Sequence, residues 1–269
     1  MKYINTAIKY PGIKYNLLHL INTIIKNNNK TFIDLFCGSG VVGINQNNEN
    51  IILNDVNKYS IIFIEYFKNN DFNYIINKLD ELNNKYNLIN KDKNGFNKAK
   101  NDFNNTKNME ILILLSNYCW RSNIKIDKKD NLIISSFFHK STNLSNKYKS
   151  KIKDFCEVLN NKNIILENKE YDELYIPNNS FVFCDPPYRL AQANYNIELG
   201  WNQHSDKKLI DFLDHLWYDR GIPFAMTNIF DHDGLINKVI YDWAASYHVH
   251  PLRTYKGRKE VLITPPNLT

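Results

Sequence analysis

The stretch FVFCDPPY, residues 181–188, runs from an apolar segment into a carboxylate, two prolines and an aromatic ring. Proline lacks a backbone N–H and has a fixed φ, so Pro186 and Pro187 stiffen the exit and leave carbonyl acceptors beside Asp185. An aspartate at the carboxyl end of a strand stands where open α/β sheets bind their ligands. A carboxylate and a carbonyl, with the ring of Tyr188 beside them, suit a flat ring bearing an amine. Such amines are poor nucleophiles because their lone pair is delocalised. Two acceptors holding the N–H bonds favour a more tetrahedral nitrogen, whose lone pair is then free to attack an electrophilic carbon. Tyr188 is expected to stack on the ring, and a base buried in a duplex has to be flipped out to reach the site. Cys184 need not act as a nucleophile, since direct transfer to an amine requires no covalent intermediate. For a four-residue motif alone, an ordinary turn is the plain alternative.

The second chemical feature is TFIDLFCGSGVVG, residues 31–43, which reads as a strand, a glycine turn and the opening of a helix. Gly38 and Gly40 let the backbone approach a ligand closely, and a helix start offers free N–H groups to an anion. The spacing of Gly38, Gly40 and Gly43 matches the dinucleotide fingerprint, with Asp55 as a ribose-binding acid, so a NAD-dependent oxidoreductase is a rival reading. The residues DLFCGSG, 34–40, resemble instead the first motif of S-adenosylmethionine-dependent methyltransferases, and NDVN, 54–57, resembles their second.

Taken in order, KYPGIK (9–14), DLFCGSG, the Asn-Asp pair 54–55, a long insert, DPPY and the terminal KGRKEVLIT resemble Dam-type adenine DNA methyltransferases along most of the chain. The resemblance implies a Rossmann-like α/β sheet, mostly parallel with an antiparallel last strand, carrying an inserted and mainly helical DNA-recognition domain. It implies S-adenosyl-L-methionine as cofactor, held by Tyr10, Lys14, Asp34, Phe36, Gly38, Ser39, Gly40, Asp55 and Asp185. Asp185, Pro186, Pro187 and Tyr188 become the catalytic group, and the product is N6-methyladenine in double-stranded DNA. N4-cytosine methylation uses similar acceptors and is the nearest alternative, although that class more often has serine where Asp185 stands. Ile13 replaces the second glycine usual in the N-terminal motif. The segment NYCWRSN, 117–123, resembles an Asn…Arg-x-Asn base-reading element, in which Arg121 forks to a guanine and Asn117 or Asn123 to an adenine. Lys9, Lys128, Lys129 and Tyr195 complete the expected DNA contacts. The run NLIISSFFHK departs from the hairpin of GATC-reading members.

These residues need elements to position them. Short apolar runs at 31–36, 50–55, 163–168, 181–185, 222–228, 247–250 and 260–264 alternate with helical stretches at 14–27, 58–68, 147–160, 206–219 and 234–244, the pattern of a helix-covered parallel sheet. The interval between the second and third strands far exceeds an ordinary crossover and reads as an inserted domain at 59–149, leaving 1–58 and 150–269 as the catalytic domain. Within the Asn-rich tract, Phe72, Ile75, Ile76, Leu79 and Leu82 recur at helical spacing, which predicts helices with Asn on their wet faces. From Tyr59 to Ser150 there are 15 Lys or Arg against 9 Asp or Glu, so the net charge of +6 resides in the insert, where Lys125, Lys128, Lys129, Lys140, Lys147 and Lys149 suit a phosphate backbone. Tyr195 and Trp201 follow the DPPY motif and either close on a flipped base or pack in the core.

Cys37, Cys119, Cys156 and Cys184 lack the paired spacing of a zinc site, so they read as reduced structural thiols with no metal. The longest apolar run, ILILL, is far short of a membrane span, and the first residues show no export signal. A cytoplasmic enzyme of a bacterial or phage-infected cell is expected, acting as a monomer or weak dimer.

Overall fold

The computed structural model of the chain describes residues 2–7, 12–25, 28–90, 92–119, 126–127, 129–132, 144–190 and 200–266. In chain order the elements are α1 (Leu18–Ile24), β1 (Thr31–Asp34), β2 (Asn50–Asn54), α2 (Lys58–Asn69), α3 (Phe72–Lys85), α4 (Lys93–Thr106), α5 (Met109–Tyr118) and α6 (Asn146–Asn161). They continue with β3 (Asn163–Glu167), β4 (Ser180–Cys184), α7 (Gln203–Asp214), β5 (Phe224–His232), β6 (Leu235–Ile236), α8 (Lys238–Trp243), β7 (His248–Tyr255) and β8 (Arg258–Thr264). Two compact units share the chain: Met1–Ile13, Gly38–Asn45 and Asn57–Asn163 form one, and Lys14–Cys37, Gln46–Val56 and Ile164–Thr269 the other.

The second unit is built on a sheet of order β3-β2-β1-β4-β5-β8-β7, with β6 pairing off β5. β1 pairs in parallel with β2 and β4, and β4 with β5, whereas β8 runs antiparallel to both β5 and β7. β1 and β4 are buried at every position, as a central strand covered on both faces must be. On one face Ile33, Val182, Cys184 and Met226 pack with Leu209, Ile210 and Leu213 of α7 and Ile240 of α8. On the other, Phe32 stacks on Phe181 at 5.8 Å and Phe183 at 6.4 Å. Burying such a Phe side chain contributes about 1.5–3 kcal/mol, so this stack holds the register that fixes the strand ends.

The first unit is helical among its described residues. Its described α-helices start on polar caps: Asn57, Asp71, Asp92, Asn108 and Ser145 all accept a hydrogen bond from a first-turn backbone N–H. The Asn-rich tract therefore folds as amphipathic helices, with Ile75, Ile76 and Leu79 buried and Phe72 and Leu82 half-buried. Not every Asn faces water. Asn83 is 4% exposed and accepts the hydroxyl hydrogen of buried Tyr118 at 2.6 Å.

Three of the differences from the expected elements have a clear local cause. No long helix follows the glycine turn: a single 3-10 turn, Gly43–Asn45, stands there before β2 begins. The reason is room and composition, since the few residues before Asn50 are mostly Asn, and Asn45 spends its amide on the carbonyls of Ile4 and Val41. The helix expected at 234–244 begins only at Lys238, because Gly234 takes φ +86° and Leu235–Ile236 pair as a short strand with β5. The strand expected at 247–250 runs on to Tyr255, where Lys256 and Gly257, at φ +48° and +70°, turn it back into β8.

Candidate active site

β4 ends at Cys184, so Asp185 is the first residue beyond the sheet, and Pro186 and Pro187 carry the chain away from it. The Asp185 carboxylate is held from three directions. Lys14 donates to Oδ2 at 2.7 Å, and the hydroxyls of Thr227 and Tyr188 each lie 2.6 Å from Oδ1. Thr227 reaches it because β5 pairs beside β4 with Met226 opposite Cys184, which sets the next residue level with Asp185. The Asp185 side chain keeps 20% exposure while that of Lys14 has 5%, so the carboxylate is the part of the cluster open to a substrate.

A second carboxylate completes the cluster. Glu260 of β8 is 5% exposed, receives Arg253 Nε at 2.6 Å on Oε2, and on Oε1 meets the Tyr188 hydroxyl at 3.0 Å and Lys14 Nζ at 3.4 Å. Burial alone would raise its pKa. The charges of Lys14 and Arg253 and the Arg253 and Tyr188 hydrogen bonds outweigh that and hold it below the usual carboxylate value. Tyr188 is driven well above its ordinary pKa, first by burial and then by the charges of Asp185 and Glu260, so it stays a neutral phenol. The Lys14 ammonium also lies 5.0 Å from the centre of the Tyr188 ring. Cys184 and Cys37 have their thiol pKa values raised, chiefly by burial and further by neighbouring aspartates, which keeps both protonated and unreactive.

At the neighbouring strand ends, Asp34 closes β1 at 1% exposure and Asp55 follows β2 at 7%. Asn54 organises this corner. Its amide donates to the carbonyls of Leu35 and Lys169 and accepts from the Lys169 N–H, each at 3.1 Å, tying the ends of β1 and β2 to the segment after β3. Asn168 adds hydrogen bonds to the carbonyls of Asp55 at 2.6 Å and Val56 at 3.1 Å. Phe36 packs edge-on to Trp201 at 5.8 Å and against Tyr171 at 5.4 Å. In the glycine turn, Gly38 and Gly40 take φ +51° and +74°, a region costly for any side chain with a Cβ. Ser39 between them is 2% exposed.

The structure thus gathers Lys14, Asp185 and Tyr188 into one cluster and sets Asp34 and Asp55 at adjacent strand ends. Other positions read from the sequence are placed differently. Asn117 is 2% exposed, and its amide donates back to the Ile113 carbonyl at 3.0 Å on its own helix. Lys129 is exposed beside the Asp127–Leu132 turn. Lys149 is paired with Asp80 at 2.6 Å. Trp201 is partly buried against the core and donates to Asp206. Lys9, Tyr10, Arg121, Asn123, Lys125, Lys128, Lys140 and Tyr195 lie outside the described residues. Sequence reasoning missed Thr227, Glu260, Arg253 and Asn54. The signal for Glu260 was present: it opens the apolar run VLI, and an acid in a buried strand needs partners.

A mostly parallel sheet that ends in antiparallel strands, with acids at the carboxyl ends of β1, β2 and β4, defines a Rossmann-like methyltransferase. The model of the D12 class N6 adenine-specific DNA methyltransferase family matches residues 10–256, and the chain belongs to that family. It is 31% identical to the type II methyltransferase M.FokI of Planomicrobium okeanokoites, over 97% of this chain and 43% of that protein. With the modification methylase StsI of Streptococcus sanguinis it shares 27% identity, over 98% of this chain and 43% of that one. The chain therefore spans less than half the length of these curated relatives. Family membership sets aside the dinucleotide reading of the glycine turn.

Proposed function

We propose that this chain methylates N6 of an adenine flipped out of double-stranded DNA at a specific site, using S-adenosylmethionine. The observation that carries this reading is Asp185: a carboxylate at the carboxyl end of β4, oriented by three donors yet still partly exposed. A carboxylate oxygen accepts about two hydrogen bonds. Oδ1 meets the hydroxyls of Thr227 and Tyr188, and Oδ2 meets Lys14, which leaves Oδ2 a direction open to an amine hydrogen. The Pro186 carbonyl is the expected second acceptor. Together they hold the amine so that its lone pair is free to attack, and Asp185 is placed to take the proton that the nitrogen sheds afterwards.

The residues fit the cofactor. Its ribose hydroxyls and ammonium call for acceptors, and Asp34 and Asp55 are carboxylates of the right type; Gly38 and Gly40, at left-handed φ, bring no side chain of their own. When bound, the cofactor supplies an electrophilic methyl group on a sulfonium. Tyr10, Lys14, Phe36 and Ser39 are carried as further contacts by family resemblance. Residues 59–149 are proposed as the target-recognition domain, with Arg121 and Asn123 reading bases and Lys9, Lys128, Lys129 and Tyr195 contacting the DNA; Asn117 is left out because it is buried. No helix among the described residues is long and apolar enough to cross a membrane. A monomer or weak dimer acting on cytoplasmic DNA is the reading that fits a DNA-modifying enzyme.

The test is tritium transfer from labelled cofactor to duplex DNA, followed by digestion to nucleosides. N6-methyladenine is the expected product, and Asp185→Ala should abolish it without unfolding the chain. N4-methylcytosine as product, or wild-type turnover by the variant, would overturn the assignment.

A further inference from the structure

The polar cluster shares donors between two carboxylates. The Tyr188 hydroxyl has one hydrogen and faces two carboxylates, Asp185 Oδ1 at 2.6 Å and Glu260 Oε1 at 3.0 Å. Lys14 likewise faces both, at 2.7 Å and 3.4 Å. Glu260 is itself pinned at its other oxygen by Arg253 at 2.6 Å, on the adjacent strand β7. With Lys14 and Arg253 counted against Asp185 and Glu260, the four charges balance. Glu260 thus meets the same two donors, Lys14 and Tyr188, that hold Asp185.

We infer that Glu260, held by Arg253, is a positioning residue for methyl transfer: it shares the donors of Lys14 and Tyr188 with Asp185, so that Asp185 keeps acceptor capacity for the substrate amine. The inference rests on the adenine-methylating function proposed above. While the amine's hydrogens are being held, Asp185 must remain a charged, unsaturated acceptor. When Asp185 afterwards carries the amine's proton, its need for donors falls, and the Tyr188 hydrogen turns to Glu260 by rotation about the C–O bond alone. No bond is broken in that movement. Without the Glu260 charge, Lys14 and Tyr188 settle fully on Asp185 and compete with the substrate for its lone pairs. This differs from a purely structural role, because the loss falls on the chemical step and not on binding.

The experiment compares wild type with Glu260→Gln, which preserves shape, in tritium-transfer kinetics on duplex DNA. The expected result is a fall in kcat of about 100-fold, the scale set by removing one preorganised partner of a reacting charge, with KM for DNA and cofactor within about twofold. Two further readouts do not depend on turnover. The fluorescence gain of a duplex carrying 2-aminopurine at the target position, measured without cofactor, should be unchanged. The ¹³Cζ resonance of Tyr188, assigned by its loss in Tyr188→Phe, should move in E260Q. Arg253→Gln alters a half-exposed partner and serves if E260Q fails to fold; it should lower kcat about tenfold by the same reasoning. Equal kcat in the variants, or a loss matched by lost 2-aminopurine fluorescence and raised KM, overturns the inference. If the wild type methylates no adenine at all, the proposed function falls, and this inference with it.

Discussion

Replacing Lys14 with methionine tests the cluster most directly, because the side-chain volume is nearly kept and only the charge and its hydrogen bonds are lost. Lys14 is 4% exposed and contacts two carboxylates, one of them, Glu260, 5% exposed. Removing one partner of a buried ion pair leaves an uncompensated buried charge and costs about 3–5 kcal/mol. For a chain of this size that corresponds to a melting temperature lower by about 10 °C. The loss should depend on pH in a defined direction. In the wild type the Glu260 carboxyl is held below its ordinary pKa, so it contributes stability above the unfolded value near 4.3 that disappears as pH falls through the folded value. In Lys14→Met one of the two charges that offset burial is gone while Arg253 stays, so the carboxyl pKa rises relative to the wild type and the variant loses less stability as pH falls. The gap between the two proteins should be widest at pH 7–8 and shrink as pH falls through the carboxylate range. Urea unfolding at a series of pH values measures it, and the double variant Lys14→Met/Glu260→Gln should regain most of the loss at neutral pH. A loss under about 1 kcal/mol, or one that does not change with pH, would refute the claim that Lys14 compensates buried charge.

Two further perturbations separate positioning from folding. Thr227→Val removes one hydroxyl donor from Asp185 at nearly constant volume; a hydrogen bond to a charged group contributes about 1.5–3 kcal/mol, so kcat should fall at least tenfold with little change in KM, and unchanged kcat would exclude Thr227 from orienting the carboxylate. Asn54→Ala deletes three side-chain hydrogen bonds at the ends of β1 and β2; it should lower stability by about 2–4 kcal/mol and weaken cofactor binding in calorimetry, while a variant with wild-type cofactor affinity would show that this corner does not shape the cofactor site.

The Asp185 motif, the glycine turn and the acids at the strand ends were legible in the sequence because they are local: a strand, its exit and the turn after it are contiguous in the chain. The parallel sheet was legible too, since strands buried on both faces must be continuously apolar, as in Phe181–Cys184. The helices of the Asn-rich tract could be read from the spacing of Ile75, Ile76 and Leu79. The short strand β6 and the missing helix after Gly43 were not, because a few residues beside a glycine carry too little periodicity for neighbouring strands not to override it.

What only the tertiary structure decided is which distant charges meet. Lys14, Asp185, Thr227, Arg253 and Glu260 come from four strands or strand ends and from a segment near the chain's start, and nothing in their spacing says that they converge. Spacing reports contacts between near neighbours along one element, whereas a charge cluster arises where separate elements are laid side by side. The same holds in reverse for Asn117, whose residue type and neighbourhood fit a base-reading position. Folding buries its amide and bonds it to the Ile113 carbonyl of its own helix, because a polar group taken out of water has to be hydrogen-bonded within the protein.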